Sequence, residues 1–171
     1  MNPAASWHSK LGPIPKILGV MVAVLSVYAA VQTLWPRVSV TPGDNLNRYD
    51  PFSAPLVISN DGYLSIYAVK LDCTIERLVS SDAKLNWEHV EFEDSLVDHT
   101  DDEIGADGRS THFCGLSITD PNGFKEAYLV AIASFRPGYL PWRVKKRSRF
   151  RGYMGDDHML RWVPFSPSAI R

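Results

Sequence analysis

Residues 17 to 35, Ile17-Leu-Gly-Val-Met-Val-Ala-Val-Leu-Ser-Val-Tyr-Ala-Ala-Val-Gln-Thr-Leu-Trp35, form the only long uncharged apolar run in the chain. At 1.5 Å per helical residue the run spans roughly 28 Å, about the thickness of a bilayer core. A cleaved signal peptide, a buried core helix and a stable anchor all begin from such a run, and length and flanks separate them. A signal peptide has a short basic head and about 7–15 apolar residues, whereas here sixteen residues precede a longer run. A core helix would carry a polar face, which is missing. The anchor is therefore the expected reading, although Val27-Tyr28-Ala29 resembles a cleavage site. Pro13 and Pro15 place the helix start near Lys16, and Pro36 stops it after Trp35, an indole suited to the interfacial aromatic belt.

Orientation follows from basic residues: Lys10 and Lys16 precede the run, Arg37 and Arg48 follow it, and the bias favours a cytoplasmic N-terminus. About 135 residues follow the run, enough for one domain with its own core, while the sixteen before it cannot fold alone. The expected layout is a short cytoplasmic segment (1–16), a transmembrane helix (17–35), a linker with a first strand (36–53) and an extracytoplasmic domain (54–171).

Strand signals in that domain are frequent and regularly interrupted. Val38–Thr41, Pro55–Ser59, Tyr63–Ile75, Asn86–Phe92, Thr111–Ile118, Phe124–Phe135, Arg147–Met154 and His158–Phe165 alternate or are apolar, and Pro42-Gly43, Asn60-Asp61-Gly62, Asp120-Pro-Asn-Gly123, Pro137-Gly138 and Gly155-Asp-Asp157 separate them. Within the third segment Leu64, Ile66 and Ala68 share one parity and Val69, Leu71, Cys73 and Ile75 the other, which predicts a bulge between Ala68 and Val69. No amphipathic helix follows residue 36. Seven or eight short strands predict an all-β, immunoglobulin-like antiparallel β-sandwich, with a closed barrel as the structural alternative.

One N-terminal span followed by Ser39-Val-Thr-Pro42, Asp50-Pro-Phe-Ser53, Ile58-Ser-Asn-Asp-Gly62 and a strand ending in Cys73 resembles small uncharacterised bacterial inner-membrane proteins with an immunoglobulin-like periplasmic domain. The resemblance implies a location and a fold, and no activity.

Three sets of residues carry chemistry. Cys73 and Cys114 fall in separate predicted strands. An oxidising compartment permits them to pair, while two buried thiols acting as small apolar residues remain the alternative. No Cys-x-x-Cys or His-x-x-x-His spacing offers a zinc site.

The stretch Trp87 to Asp107 carries Glu88, Glu91, Glu93, Asp94, Asp98, Asp101, Asp102, Glu103 and Asp107 without a Lys or Arg. Calcium ligation there lacks the Asp-x-Asp-x-Asp-Gly pattern, and a solvated acidic loop is the simpler account. His89, His99 and His112 lie in or near it, and Ser110, His112 and Asp107 assemble into a triad only on paper, without a Gly-x-Ser-x-Gly elbow. No glycine-rich phosphate loop occurs, so no cofactor is expected.

The third set is basic. Arg143, Lys145, Lys146, Arg147, Arg149 and Arg151 fall within nine residues, and on a strand Arg147, Arg149 and Arg151 share one face opposite Phe150 and Gly152. Such a row can meet phosphates, lipid headgroups or the protein's own acidic loop, or it can simply protect an edge strand from aggregation. Nucleic acid is disfavoured by the outward location and a net charge of −1.

The expected function is a membrane-anchored extracytoplasmic binding or scaffold module that holds an envelope protein, without catalysis. The alternative is a small extracytoplasmic hydrolase using the acidic and histidine-bearing loop around residues 87–112.

Overall fold

A computed structural model describes residues 14–47, 50–82, 84–92, 101–118, 120, 123–155 and 159–166. The chain divides into two compact units, Met1–Trp35 and Pro36–Arg171. The first contains helix α1, Ile14–Leu34. Pro15 falls in its first turn, where an N–H has no intrahelical acceptor to lose. Its serine and threonine hydroxyls bond within the helix: Ser26 Oγ donates to Val22 O and Thr33 Oγ1 to Ala29 O, each at 2.8 Å. The helix presents apolar side chains, among them Val20, Leu25 and Val27, with these two hydroxyls satisfied internally, as hydrocarbon favours. Among the described residues it is the one helix long and apolar enough to cross a membrane.

The second unit is built from antiparallel β-sheets. Strands β1 (Val38–Pro42), β2 (Leu56–Asn60) and β6 (Arg109–His112) form a small sheet in the order β1-β2-β6. The larger sheet contains β3 (Ile66–Ser80), β4 (Asn86–Phe92), β5 (Asp101–Ile104), β7 (Phe124–Pro137), β8 (Val144–Met154) and β9 (Leu160–Pro164). Its order is β4-β3-β7-β8-β9, with β5 also paired to β3. Alternation explains the layering. Val69, Leu71, Cys73 and Ile75 of β3, Leu129, Ala131 and Ala133 of β7, and Phe150 of β8 are buried in one cluster with Val38, Val40, Leu56 and Ile58 of the small sheet. Each such Val, Leu, Ile or Phe side chain contributes about 1.5–3 kcal/mol relative to leaving it in water. Trp162 closes the core beside Phe52, ring centroids 5.7 Å apart, and its indole N–H donates to Pro51 O at 2.7 Å.

The bulge falls where the change of parity predicts it. Tyr67 pairs with Arg136 and Lys70 with Ser134, so Ala68 and Val69 together oppose the single residue Phe135, and Ala68 takes φ +50°. Beyond the bulge β3 continues to Ser80, five residues past the predicted end.

Within the segment 36–53, Asp50 Oδ1 accepts from Phe52 N at 2.9 Å and caps a 3-10 turn, Pro51–Ser53, which buries Phe52 in the core. One large apolar side chain outweighs a polar surrounding composition once a cap fixes its direction. Thr111–Ile118 is not a strand throughout, since β6 ends at His112. Asp101–Ile104 is a strand despite its acidic composition, because its backbone completes the edge of β3 left open beyond β4, with Ile66 opposite Ile104 and Val69 opposite Asp101.

Candidate functional site

Strand β8 gathers the basic residues because β7 beside it supplies the core contacts. Phe150 pairs with Leu129 and is buried, while the alternate positions Arg147, Arg149 and Arg151 pair with Ile132, Val130 and Tyr128 and point away from the core. Lys145, opposite Ser134, extends this row, and Arg143 stands exposed just before the strand. The members have different surroundings. Arg149 Nε lies 3.1 Å from Glu76 Oε1 of β3, with both side chains about one-third exposed. The Arg151 guanidinium carbon is 6.0 Å from the Tyr128 ring centroid, within cation–π range. Among the described residues no carboxylate pairs with Lys145, Lys146 or Arg147. Among the described residues the counterion of this row is thus Glu76, outside the acidic stretch 87–107.

The strand is also half open. β9 pairs with β8 over Phe150–Met154, and one further bond follows, Phe165 N to Arg149 O at 2.8 Å. Among the described residues no strand lies beside Val144–Ser148 on that side. Lys146 has the parity of Phe150 yet is exposed, forming with Val40, Ser148 and Phe165 the wall of a shallow depression of about 390 Å³. Backbone donors and acceptors, three cations and a nearby apolar wall together form a surface that an extended acidic segment fits.

Cys73 and Cys114 form a disulfide with a Cα–Cα distance of 5.5 Å. It joins β3 of the large sheet to the segment two residues beyond β6 of the small one. Asp50 holds the same segment by accepting from Ser117 Oγ at 2.6 Å and from Ile118 N at 3.4 Å.

The acidic stretch does not gather into a centre among the described residues. Glu88 and Glu91 stand exposed on β4, Glu103 on β5 and Asp107 in the following turn, while Glu93, Asp94, Asp98 and His99 lie outside the described residues. His89 is exposed on β4 with φ +54°, and His112 is buried on β6. No group of three or more His, Cys, Asp or Glu suited to a metal occurs among the described residues.

Tyr63, which falls before β3 rather than within it, Tyr139 and Trp142 are aromatics that stand exposed in turns. The signal available for the last two is an aromatic pair inside a turn bounded by Pro137-Gly138, where polar residues are the norm. No protein-family model, curated protein or solved structure matches the chain.

Proposed function

We propose that the protein is a single-pass bacterial inner-membrane protein whose domain, Pro36–Arg171, lies outside the cytoplasm and binds an envelope protein through the open edge of β8. The reading is one of binding rather than catalysis, and the domain is read as an immunoglobulin-like sandwich. Two antiparallel sheets contributing to one core support that fold, as does a disulfide linking β3 to the segment after β6. The apolar helix, whose Ser26 and Thr33 hydroxyls are satisfied internally, supports the anchor.

One observation carries the binding role: among the described residues Val144–Ser148 has a strand on one side only, and among those residues no carboxylate pairs with its Lys145, Lys146 or Arg147. An acidic extended segment added at this edge would gain main-chain hydrogen bonds and side-chain ion pairs together. A photocrosslinking residue placed at Lys145 in the full chain, in living cells of the source organism, is expected to yield an adduct of one defined mass. The adduct should weaken strongly in the Arg147→Ser/Arg149→Ser/Arg151→Ser variant, and no such adduct should form from Lys84. Absence of an adduct at Lys145, or one indifferent to the triple substitution, would overturn the proposal.

A further inference from the structure

One end of the β domain exposes a group of aromatic side chains. Asp61 N donates to Arg37 O at 2.7 Å, and a Cβ on Gly62 would stand 3.2 Å from Arg37 N and 3.8 Å from Pro36 Cα. Only glycine permits this approach without displacement, so the turn 60–65 is packed on the two residues that follow Trp35 in the chain. Beside that turn lies the tip of the β7–β8 hairpin, Gly138-Tyr-Leu-Pro-Trp-Arg143, joined to it by Gly138 N donating to Ser65 O at 3.3 Å. Tyr63 is 68% exposed, Trp142 58% and Tyr139 43%, with Leu64, next to Tyr63 in the turn, at 38%.

The charges at this end are mixed but favour an anion. Arg37, Arg136 and Arg143 are exposed. Asp61 accepts from Ser39 Oγ at 3.0 Å, and Asp107 stands in the β5–β6 turn, whose Gly108 O accepts from Asn60 N at 3.0 Å. Arg136 and Tyr139 line a shallow depression of about 480 Å³ with Tyr67 and Leu140. The hairpin at the opposite end of β3 differs: Ser81, Asp82 and Lys84 are exposed there, roughly 45 Å away along a fifteen-residue strand.

We propose that this end of the domain docks on the phospholipid surface, with Tyr63, Leu64, Tyr139 and Trp142 at the boundary of headgroups and acyl chains and Arg136 and Arg143 on lipid phosphates. The inference rests on the reading of α1 as a membrane span. Covalent continuity then keeps Pro36 within a residue or two, at about 3.8 Å per residue, of the interface at which the span ends. Tyrosine and tryptophan concentrate at that depth because an apolar ring and a polar N–H or O–H are both satisfied there. The arginine fork suits phosphate oxygens. A cluster of exposed aromatics costs solubility in a domain facing only water, and burying it against lipid removes that cost.

The test uses the full chain in vesicles of phosphatidylcholine and phosphatidylglycerol. A nitroxide is carried at residue 63, 139 or 142 by a genetically encoded keto amino acid, which leaves the Cys73–Cys114 disulfide untouched. Labels at Val24 and Lys84 serve as references for lipid and water. Collisions with oxygen at residues 63, 139 and 142 are expected to exceed those with a water-soluble nickel chelate several-fold, as at Val24 and unlike Lys84. If Val24 behaves as lipid-immersed and the three turn labels behave as Lys84, docking is wrong and the span stands. If Val24 itself behaves as water-exposed, both fail. Turn labels shielded from both reagents would report a protein partner or a second copy and overturn lipid docking. Without labels, brominated phosphatidylcholine should quench the fluorescence lost on Trp142→Phe several-fold more than that lost on Trp87→Phe. Equal quenching would count against the proposal independently of any label.

Discussion

Asn60 ties three segments of the domain together. Its side chain is fully buried, its amide donates to Leu64 O at 2.9 Å, Ile104 O at 3.1 Å and Gly105 O at 2.9 Å, and its Oδ1 accepts from Gly62 N at 3.2 Å. Leucine has a similar size but would leave these carbonyls and one amide without partners, at about 1–3 kcal/mol for each group that water cannot reach. Asn60→Leu is expected to destabilise the domain by about 2–4 kcal/mol in urea unfolding, and a loss below about 1 kcal/mol would show that water replaces the side chain. Asp82 offers a pH-dependent contrast at the surface. The Lys84 ammonium at 2.8 Å, then the Ser80 hydroxyl at 2.7 Å and the Lys84 backbone N–H at 3.1 Å, hold its carboxyl well below the usual carboxylate range. A depressed folded value means that this contribution to stability is present above the ordinary aspartate value of about 3.9 and is lost as pH falls through the folded one. Following the Asp82 carboxyl carbon by NMR should place its titration below that of exposed aspartates, with Lys84→Met moving it upward; an ordinary titration in the parent chain would contradict the geometry.

The β3 bulge decides which face of a fifteen-residue strand meets the core. Ala68 holds φ +50°, a conformation that costs a non-glycine residue about 1–2 kcal/mol. Ala68→Gly should relieve part of this and raise stability by up to about 1 kcal/mol, whereas Ala68→Val should lower it by about 1–2 kcal/mol because branching at Cβ worsens the clash. Thermal unfolding of the two variants gives the comparison, and a destabilising glycine would mean that the strain is not released there. On β8 the ion pair of Arg149 with Glu76 is partly exposed, so it contributes about 0.2–1 kcal/mol. The Arg147→Ser/Arg149→Ser/Arg151→Ser variant should therefore unfold within about 1 kcal/mol of the parent. A larger loss would identify the row as structural.

At the scale of the whole molecule the disulfide ties the sheets together. It closes a sequence separation of 41 residues, and in the chain-entropy model such a crosslink stabilises by roughly 4 kcal/mol. Reduction, or Cys73→Ala with Cys114→Ala, should lower the denaturant midpoint and steepen the slope, because the unfolded chain without the crosslink is less compact and exposes more surface. The proposed topology has its own test. Protease added to right-side-out cells should remove the domain and leave a short membrane-bound fragment, and a protected domain, or a mature chain beginning at Ala30, would exclude the anchored outward arrangement.

Features set by local chemistry were legible in the sequence: the apolar helix, from an uninterrupted run closed by Pro36; most strands, from alternation between turn residues; the bulge, from one change of parity; and the shared face of Arg147, Arg149 and Arg151. Each depends on neighbours a few residues apart, where backbone geometry alone fixes which side chains align. The remainder depended on partners distant in the chain. Asp101–Ile104 became a strand because β3 had an unfilled edge, Phe52 entered the core because Asp50 capped its turn, and Arg149 found Glu76 because β3 and β8 flank the same β7. The aromatic end beside Pro36 arose the same way, from Tyr63 and Trp142, far apart in sequence and brought to adjoining turns by the bond from Gly138 to Ser65. Such juxtapositions follow from strand order and register, which the pattern of a single strand does not encode.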